Sequence, residues 1–239
     1  MASAVQAADP RCFEMRTYYA APGKLDALQA RFREHTCKLF EKHGMTNIGY
    51  WTPLENPENK LVYVLAFPSR AARDQAFKDF GADPEWQATV KTSEAQGKLV
   101  LKIASMFLQA TDFSPEIKPS AGATPRTFEL RTYTCTPHNL PNLLKRFRAH
   151  TLTLFAKHGM TSIAYWTPAE KTPGADDTLV YILAHQSKAA AAEAFKVFRA
   201  DPEWIKVKAE SEQAAGGSLM VTDGVKSEFL QPTDFSTIK

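Results

Sequence analysis

The sequence has only three cysteines in 239 residues, an odd number in a long chain, which excludes a disulfide framework. It has no Cys-x-x-Cys and no His-Glu-x-x-His, so the usual zinc-ligand spacings are missing. No apolar run approaches the roughly 18–20 residues of a membrane span, which argues against integral membrane association. Twenty-nine Lys and Arg against 26 Asp and Glu leave a net charge of +3, too little for a nucleic-acid-binding footprint. The central-strand aromatic consensus with which related topologies read RNA is also lacking. There is no glycine-rich phosphate loop, no Gly-x-Ser-x-Gly elbow and no recognisable paired-carboxylate motif. What remains is 44% apolar and 23% charged residues, an ordinary globular composition. The length predicts one large or two small domains, each able to bury a core.

The chain repeats itself. Residues 13–53, FEMRTYYAAPGKLDALQARFREHTCKLFEKHGMTNIGYWTP, align without a gap to residues 128–168, with 25 of 41 positions identical. The match resumes at LVYVLAF (61–67) with LVYILAH (179–185), then DPEW (83–86) with DPEW (201–204), and closes at LQATDF (108–113) with LQPTDF (230–235). Three extra residues fall in a proline-containing loop, and four more around Gly216 and Gly217, just before or within the last strand. Insertions confined to such places indicate two copies of one fold. The expected domains are 11–113 and 127–236, joined by a linker at 114–126 that is rich in Pro, Ser, Ala and Gly.

Within a copy, residues 13–19 alternate as a strand. Phe13, Met15, Thr17 and Tyr19 lie on one face, and Glu14, Arg16 and Tyr18 on the other. Leu25, Leu28, Phe32 and Leu39 recur at helical spacing, and Gly44 closes that helix. Residues 46–52 and 60–67 read as strands. Ser69 caps a second helix, Asp83-Pro84-Glu85 starts a third, and 99–108 form a last strand. The order β-α-β-β-α-β is that of a ferredoxin-like unit. One such sheet leaves a face uncovered. The expectation is therefore an α+β fold of two tandem ferredoxin-like domains packed sheet to sheet, an intrachain pseudo-dimer.

FELRTYTC, RFRxHTLxLFxKHGM, YWTP and DPEW together resemble the NIPSNAP family, over nearly the whole chain twice. The resemblance implies a dimeric α+β barrel, made here in cis. That superfamily also holds cofactor-independent monooxygenases, haem-degrading enzymes and haem-dependent dehydratases, and the family itself has no settled catalytic activity. A fold that hosts many functions does not supply one.

Four of six histidines recur in both copies, His35 with His150 and His43 with His158; no cysteine does. On a straight helix His35 falls on or beside the inward stripe, which makes His35 and His150 candidate acid/base groups or haem ligands; the plain alternative is a half-buried histidine bonding a backbone carbonyl. His43 and His158 sit at helix C-termini, where a cation is favoured. Glu14, Arg16 and Tyr18, with Glu129, Arg131 and Tyr133, form the most informative polar cluster. If their face lines the barrel, Arg could anchor a carboxylate and Tyr could donate to an oxyanion; otherwise the Arg–Glu pair is architectural. Tyr50 and Trp51, with Tyr165 and Trp166, could wall a pocket or be plain core. Arg31, Arg33, Arg146 and Arg148 read as a solvated helix face, and the Trp of each DPEW as a staple to the neighbouring domain.

The leading expectation is a protein that binds a small, largely apolar molecule near Arg16, Tyr18 and His35 and their second-copy partners. As an enzyme it would carry out cofactor-independent oxygenation or proton transfer. The alternatives are a non-catalytic interaction module and a haem-binding protein; no other cofactor is expected, and the chain could pair with further copies of itself. MASAVQAADPR has the Ala-x-Ala character of a signal-peptide cleavage end but no basic or apolar region. It fits either a cytoplasmic protein or an exported one whose signal has been removed.

Overall fold

The computed structural model describes residues 8–120 and 126–239. Residues 1–7, which carry most of the cleavage-like stretch, and residues 121–125 of the expected linker lie outside the described residues. The first repeat runs β1 (Cys12–Ala20), α1 (Leu25–Arg31), a π-turn (Phe32–Thr36), α2 (Cys37–Lys42), β2 (Thr46–Pro53), β3 (Lys60–Phe67), α3 (Arg70–Ala82), α4 (Pro84–Ser93) and β4 (Val100–Ala110). The second runs β5 (Thr127–Cys135), α5 (Leu140–Arg146), a π-turn (Phe147–Thr151), α6 (Leu152–Lys157), β6 (Thr161–Pro168), β7 (Thr178–His185), α7 (Lys188–Ala200), α8 (Pro202–Ala214) and β8 (Met220–Pro232). The fold is α+β. Its strands are hydrogen-bonded in the order β1-β3-β2-β8-β5-β7-β6-β4, a closed eight-stranded barrel.

The chain divides into two compact units, and each takes in a short segment from the far end of the other repeat. Pro10–Gln109 is completed by Leu230–Lys239, and the second repeat, through Phe229, by Ala110–Ile117. In the first unit Leu230–Pro232 pairs with Trp51–Pro53. The Thr233 N–H donates to the Tyr50 carbonyl (3.0 Å) and the Ser236 hydroxyl accepts the Tyr50 N–H (2.9 Å). Phe235 packs on Phe32 and Tyr50, and Arg33 grips Asp234 with two hydrogen bonds (2.5 and 2.7 Å). The second unit repeats this with Thr111, Ser114, Phe113 and an Arg148–Asp112 pair. Arg33 and Arg148 lie exposed on the helix, as expected, and there each clamps a terminal strap; residues 114–117 of the expected linker belong to the second unit.

The first long helix is not straight. At Phe32–Thr36 it widens into a π-turn, where the Thr36 hydroxyl donates to the Arg31 carbonyl (3.2 Å); Thr151 and Arg146 do the same. One extra residue in a turn rotates everything beyond it by about 100°. The buried residues are therefore Leu28, Arg31, Phe32, Thr36, Leu39 and Phe40, and His35 is exposed. Two of the arginines expected on the solvated face precede the π-turns and lie three residues past the buried Leu28 and Leu143, on the inward side at ordinary helical spacing. Arg31 and Arg146 are buried, stacked on Trp86 and Trp204 at 5.2 and 5.1 Å. Each tryptophan packs on a phenylalanine of its own repeat, Phe80 or Phe198, at 4.4 Å. It ties α4 or α8 to its own core instead of to the neighbouring domain.

Asp83 and Asp201 cap α4 and α8 through the Glu85 and Glu203 N–H groups (2.9 Å). The same carboxylates meet His43 and His158 at 2.7 Å, and Lys42 and Lys157. Hydrogen bonds from the lysine, the histidine and the backbone amide hold both carboxyls well below the usual range. A depressed carboxyl pKa gives stability that is present above the unfolded value, roughly 3.9, and is lost as pH falls below it. The double variant Asp83→Asn/Asp201→Asn is expected to flatten the fall in melting temperature between pH 5 and 2. An unchanged slope would refute that assignment.

Candidate functional site

The alternation of β1 places Glu14, Arg16 and Tyr18 on one face, opposite Leu65, Tyr63 and Leu61 of β3. This is the face the helices cover, because Arg73 of α3 reaches Glu14 with two bonds of 2.7 and 2.8 Å. Arg16 donates to Glu14 (2.6 Å) and to the Tyr63 hydroxyl (3.0 Å), and Ser105 of β4 donates to Glu14 (2.5 Å). Burial by itself would raise the Glu14 pKa. The bonds from Arg73 and Ser105 and the charge of Arg16 outweigh it and hold the carboxyl below its usual value.

The second repeat keeps most of this cluster. Arg131 pairs with Glu129 and donates to the hydroxyls of Tyr181 (2.9 Å) and Tyr133 (3.1 Å), while Ser227 donates to Glu129 (2.5 Å). One partner differs. The place of Arg73 is taken by Ala191, and that of Phe67 by His185, whose Nε2 lies 3.1 Å from Glu129. His185 is 3% exposed. It is one of the two histidines that the duplication does not repeat, yet it fills a duplicated role. Tyr63, Tyr181, Ser105 and Ser227 were also missed. Their signal was the alternation of the third and last strands, which puts them on the face shared with Glu14 and Glu129.

Arg131 also faces open space. A cavity of about 650 Å³ lies beside it, lined by Arg131, Tyr133, Phe195, Phe198, Trp204 and, at its mouth, Arg199, Ile205, Lys208, Ala209, Glu212 and Val225. The size suits a small organic ligand. Aromatic rings form its wall, with Arg131 set over the Phe195 ring at 4.4 Å. Burial lowers the Arg131 pKa, but Tyr181, Tyr133 and Glu129 more than reverse this, so the guanidinium stays charged. Because Tyr133 accepts from Arg131, its own proton remains to be donated. A cation and a phenol side by side can hold a carboxylate or a developing oxyanion. Val225 reaches the rim just after a kink in β8 at Asp223 (φ 55°) and Gly224. At Gly224 any Cβ would sit 2.6 Å from the Thr134 carbonyl oxygen. Two of the four extra residues of this repeat fall at that kink.

The structure does not bring the candidate histidines to this cavity. His35 and His150 are exposed and line separate grooves on the outer helices, with Arg31 and Arg146. Tyr50 and Tyr165 belong to the helix-side aromatic cores, bonded through their hydroxyls to Asn47 and Ser162; burial raises both phenol pKa values. Trp51 and Trp166 point to the opposite face and are fully buried. None of the four lines the cavity. All three cysteines are free, and burial pushes the Cys37 and Cys135 thiols up to about 11, far from a reactive thiolate. Among the described residues no His, Cys, Asp and Glu cluster could hold a metal ion, and no helix is long and apolar enough to cross a membrane.

Solved structures share the whole fold. Two named "putative monooxygenase" are from Lactobacillus acidophilus (13% identity, 94% of each chain, TM-score 0.57) and Fusobacterium nucleatum (10% identity, 95% of this chain and 93% of that one, TM-score 0.60). An anthrone oxidase-like protein matches with 12% identity over 97% and 95% of the chains and a TM-score of 0.59. Identities this low establish the fold alone. No curated protein matches the sequence. The NIPSNAP sequence pattern matches twice, over residues 13–115 and 128–237. With both repeats matched nearly end to end, the chain belongs to the NIPSNAP family.

Proposed function

We propose that the protein binds a small, largely apolar molecule bearing a carboxylate or carbonyl, in the cavity of the second repeat. The observation that carries this reading is the placing of Arg131 and Tyr133, polar and preorganised by Glu129 and Tyr181, at the floor of an aromatic-walled cavity of about 650 Å³. Arg131 anchors the polar end, Tyr133 donates to its oxygen, and Phe195, Phe198 and Trp204 take the apolar body. The same donor pair would stabilise an enolate or phenolate oxygen, the charge that cofactor-independent oxygenation of an aromatic substrate develops. The monooxygenase and oxidase names of the structural relatives are in keeping with that chemistry. Glu129, Arg16 and Glu14 are positioning or architectural groups in this reading. His35, His150, Tyr18, Tyr50, Trp51, Tyr165 and Trp166 take no part in it.

The test is titration of the full chain with N-phenyl-1-naphthylamine, a neutral apolar fluorophore, alongside native mass spectrometry of the purified protein. One probe per chain is expected, with binding lost in Ala209→Trp, which fills the mouth from an exposed position. No binding to the parent chain, or equal binding to the variant, would overturn the proposal.

A further inference from the structure

The polar lining of the cavity is unbalanced. Arg131, Arg199 and Lys208 face it against a single carboxylate, Glu212. Glu212 lies 3.9 Å from the buried Arg146 guanidinium, so its charge is shared with a cation outside the cavity. Arg199, in the last turn of α7, and Lys208, on α8, are exposed and make no side-chain hydrogen bond or ion pair. Two unpaired cations around an apolar hollow raise the local potential and draw in an anion, while Arg131, paired with Glu129, offers hydrogen-bond donors. The first repeat supplies an internal comparison. In its sequence Gly81 stands where the second repeat has Arg199, and Val90 where it has Lys208, while Lys91 replaces Ala209. Two unpaired cations, Arg199 and Lys208, thus stand at this place in the second repeat, where the first has Lys91 alone.

Resting on the ligand site proposed above, we infer that its ligand is an organic anion: an aromatic or similarly flat apolar body ending in a carboxylate. The rings of Phe195, Phe198 and Trp204 hold the body, Arg131 takes the carboxylate from below, and Arg199 and Lys208 close over it at the mouth.

Calorimetric titration of the full chain with 2-naphthoate, neutral 2-naphthamide and 2-naphthylmethylammonium separates the possibilities. Naphthoate is expected to bind at least about tenfold more tightly than the amide, equivalent to about 1.4 kcal/mol, with the ammonium weakest. The double variant Arg199→Gly/Lys208→Val, which installs the residues of the first repeat at exposed or rim positions, is expected to erase most of that preference. Binding of the amide should weaken much less than that of naphthoate. Equal affinity for all three compounds, or a preference that survives in the double variant, overturns the anion assignment while leaving the apolar ligand site standing. Absence of binding by all three overturns both.

Discussion

Arg131→Ala is expected to destabilise the protein by about 3–5 kcal/mol, because it strands a buried carboxylate. Glu129 is 1% exposed and would keep only His185 and Ser227 as partners. For a chain of this size the loss corresponds to a fall of roughly 6–20 °C in melting temperature. Arg16→Ala removes the equivalent group but leaves Glu14 gripped by both bonds from Arg73 and one from Ser105. Its cost should be clearly smaller. Thermal and urea unfolding of the two variants measures the difference, and equal losses would show that Arg73 holds Glu14 no better than His185 holds Glu129. Glu129 is also held below its usual pKa: burial pushes it up, but the bond from His185, the charge of Arg131 and the bond from Ser227 prevail. Its contribution is therefore present above pH ~4.3 and lost as pH falls below that value.

Phe147→Ala should cost a similar ~3–5 kcal/mol, through the cavity it leaves. Phe147 is 1% exposed and touches the rings of Phe113, Tyr133, Phe155, Tyr165 and Tyr181. Five aromatic partners cannot all collapse into the space of a missing ring. Phe32→Ala removes the matching hub of the first repeat, among Tyr18, Phe40, Tyr50, Tyr63 and Phe235. Chemical denaturation would measure both, and a loss under about 1 kcal/mol would mean that the rings repack. Because Phe113 and Phe235 sit on terminal straps, either substitution should also loosen the strap against its unit, which amide exchange at Thr111 and Thr233 would report.

Much of the fold was legible because its causes are local. Alternation in residues 13–19 and 128–134 fixed which side chains share a face, and Asp83-Pro84 and Asp201-Pro202 marked helix starts through capping geometry. Gly44 and Gly159, with φ of 74° and 75°, closed the helices as their lack of a Cβ allows. The site was less legible. His35 was misplaced because the count assumed 3.6 residues per turn across a stretch that contains a π-turn, and nothing in FREHT announces the extra residue. Arg31 and Arg146 precede the π-turns and fall on the inward side at ordinary helical spacing; their charge reads as a surface group, and only the packing of α4 and α8 sets Trp86 and Trp204 against them. Glu14, Arg16 and Tyr18 were correctly grouped, but the side of the sheet they occupy depends on where α3 lies.

The sequence by itself determined the duplication, the α+β class, the order of elements and the Glu–Arg–Tyr row, because repeats, periodicity and caps are properties of neighbouring residues. Tertiary structure alone decided that the row lies under the helices, that each terminal TDF segment completes a unit with the other repeat, and that His185 replaces Arg73 beside a buried carboxylate. It also decided that Arg131 and Tyr133 line a cavity with Phe195, Phe198 and Trp204. Those outcomes depend on which distant side chains meet in the space between a helix and a sheet, and packing of that kind is set by the assembled elements, not by the spacing of residues along any one of them.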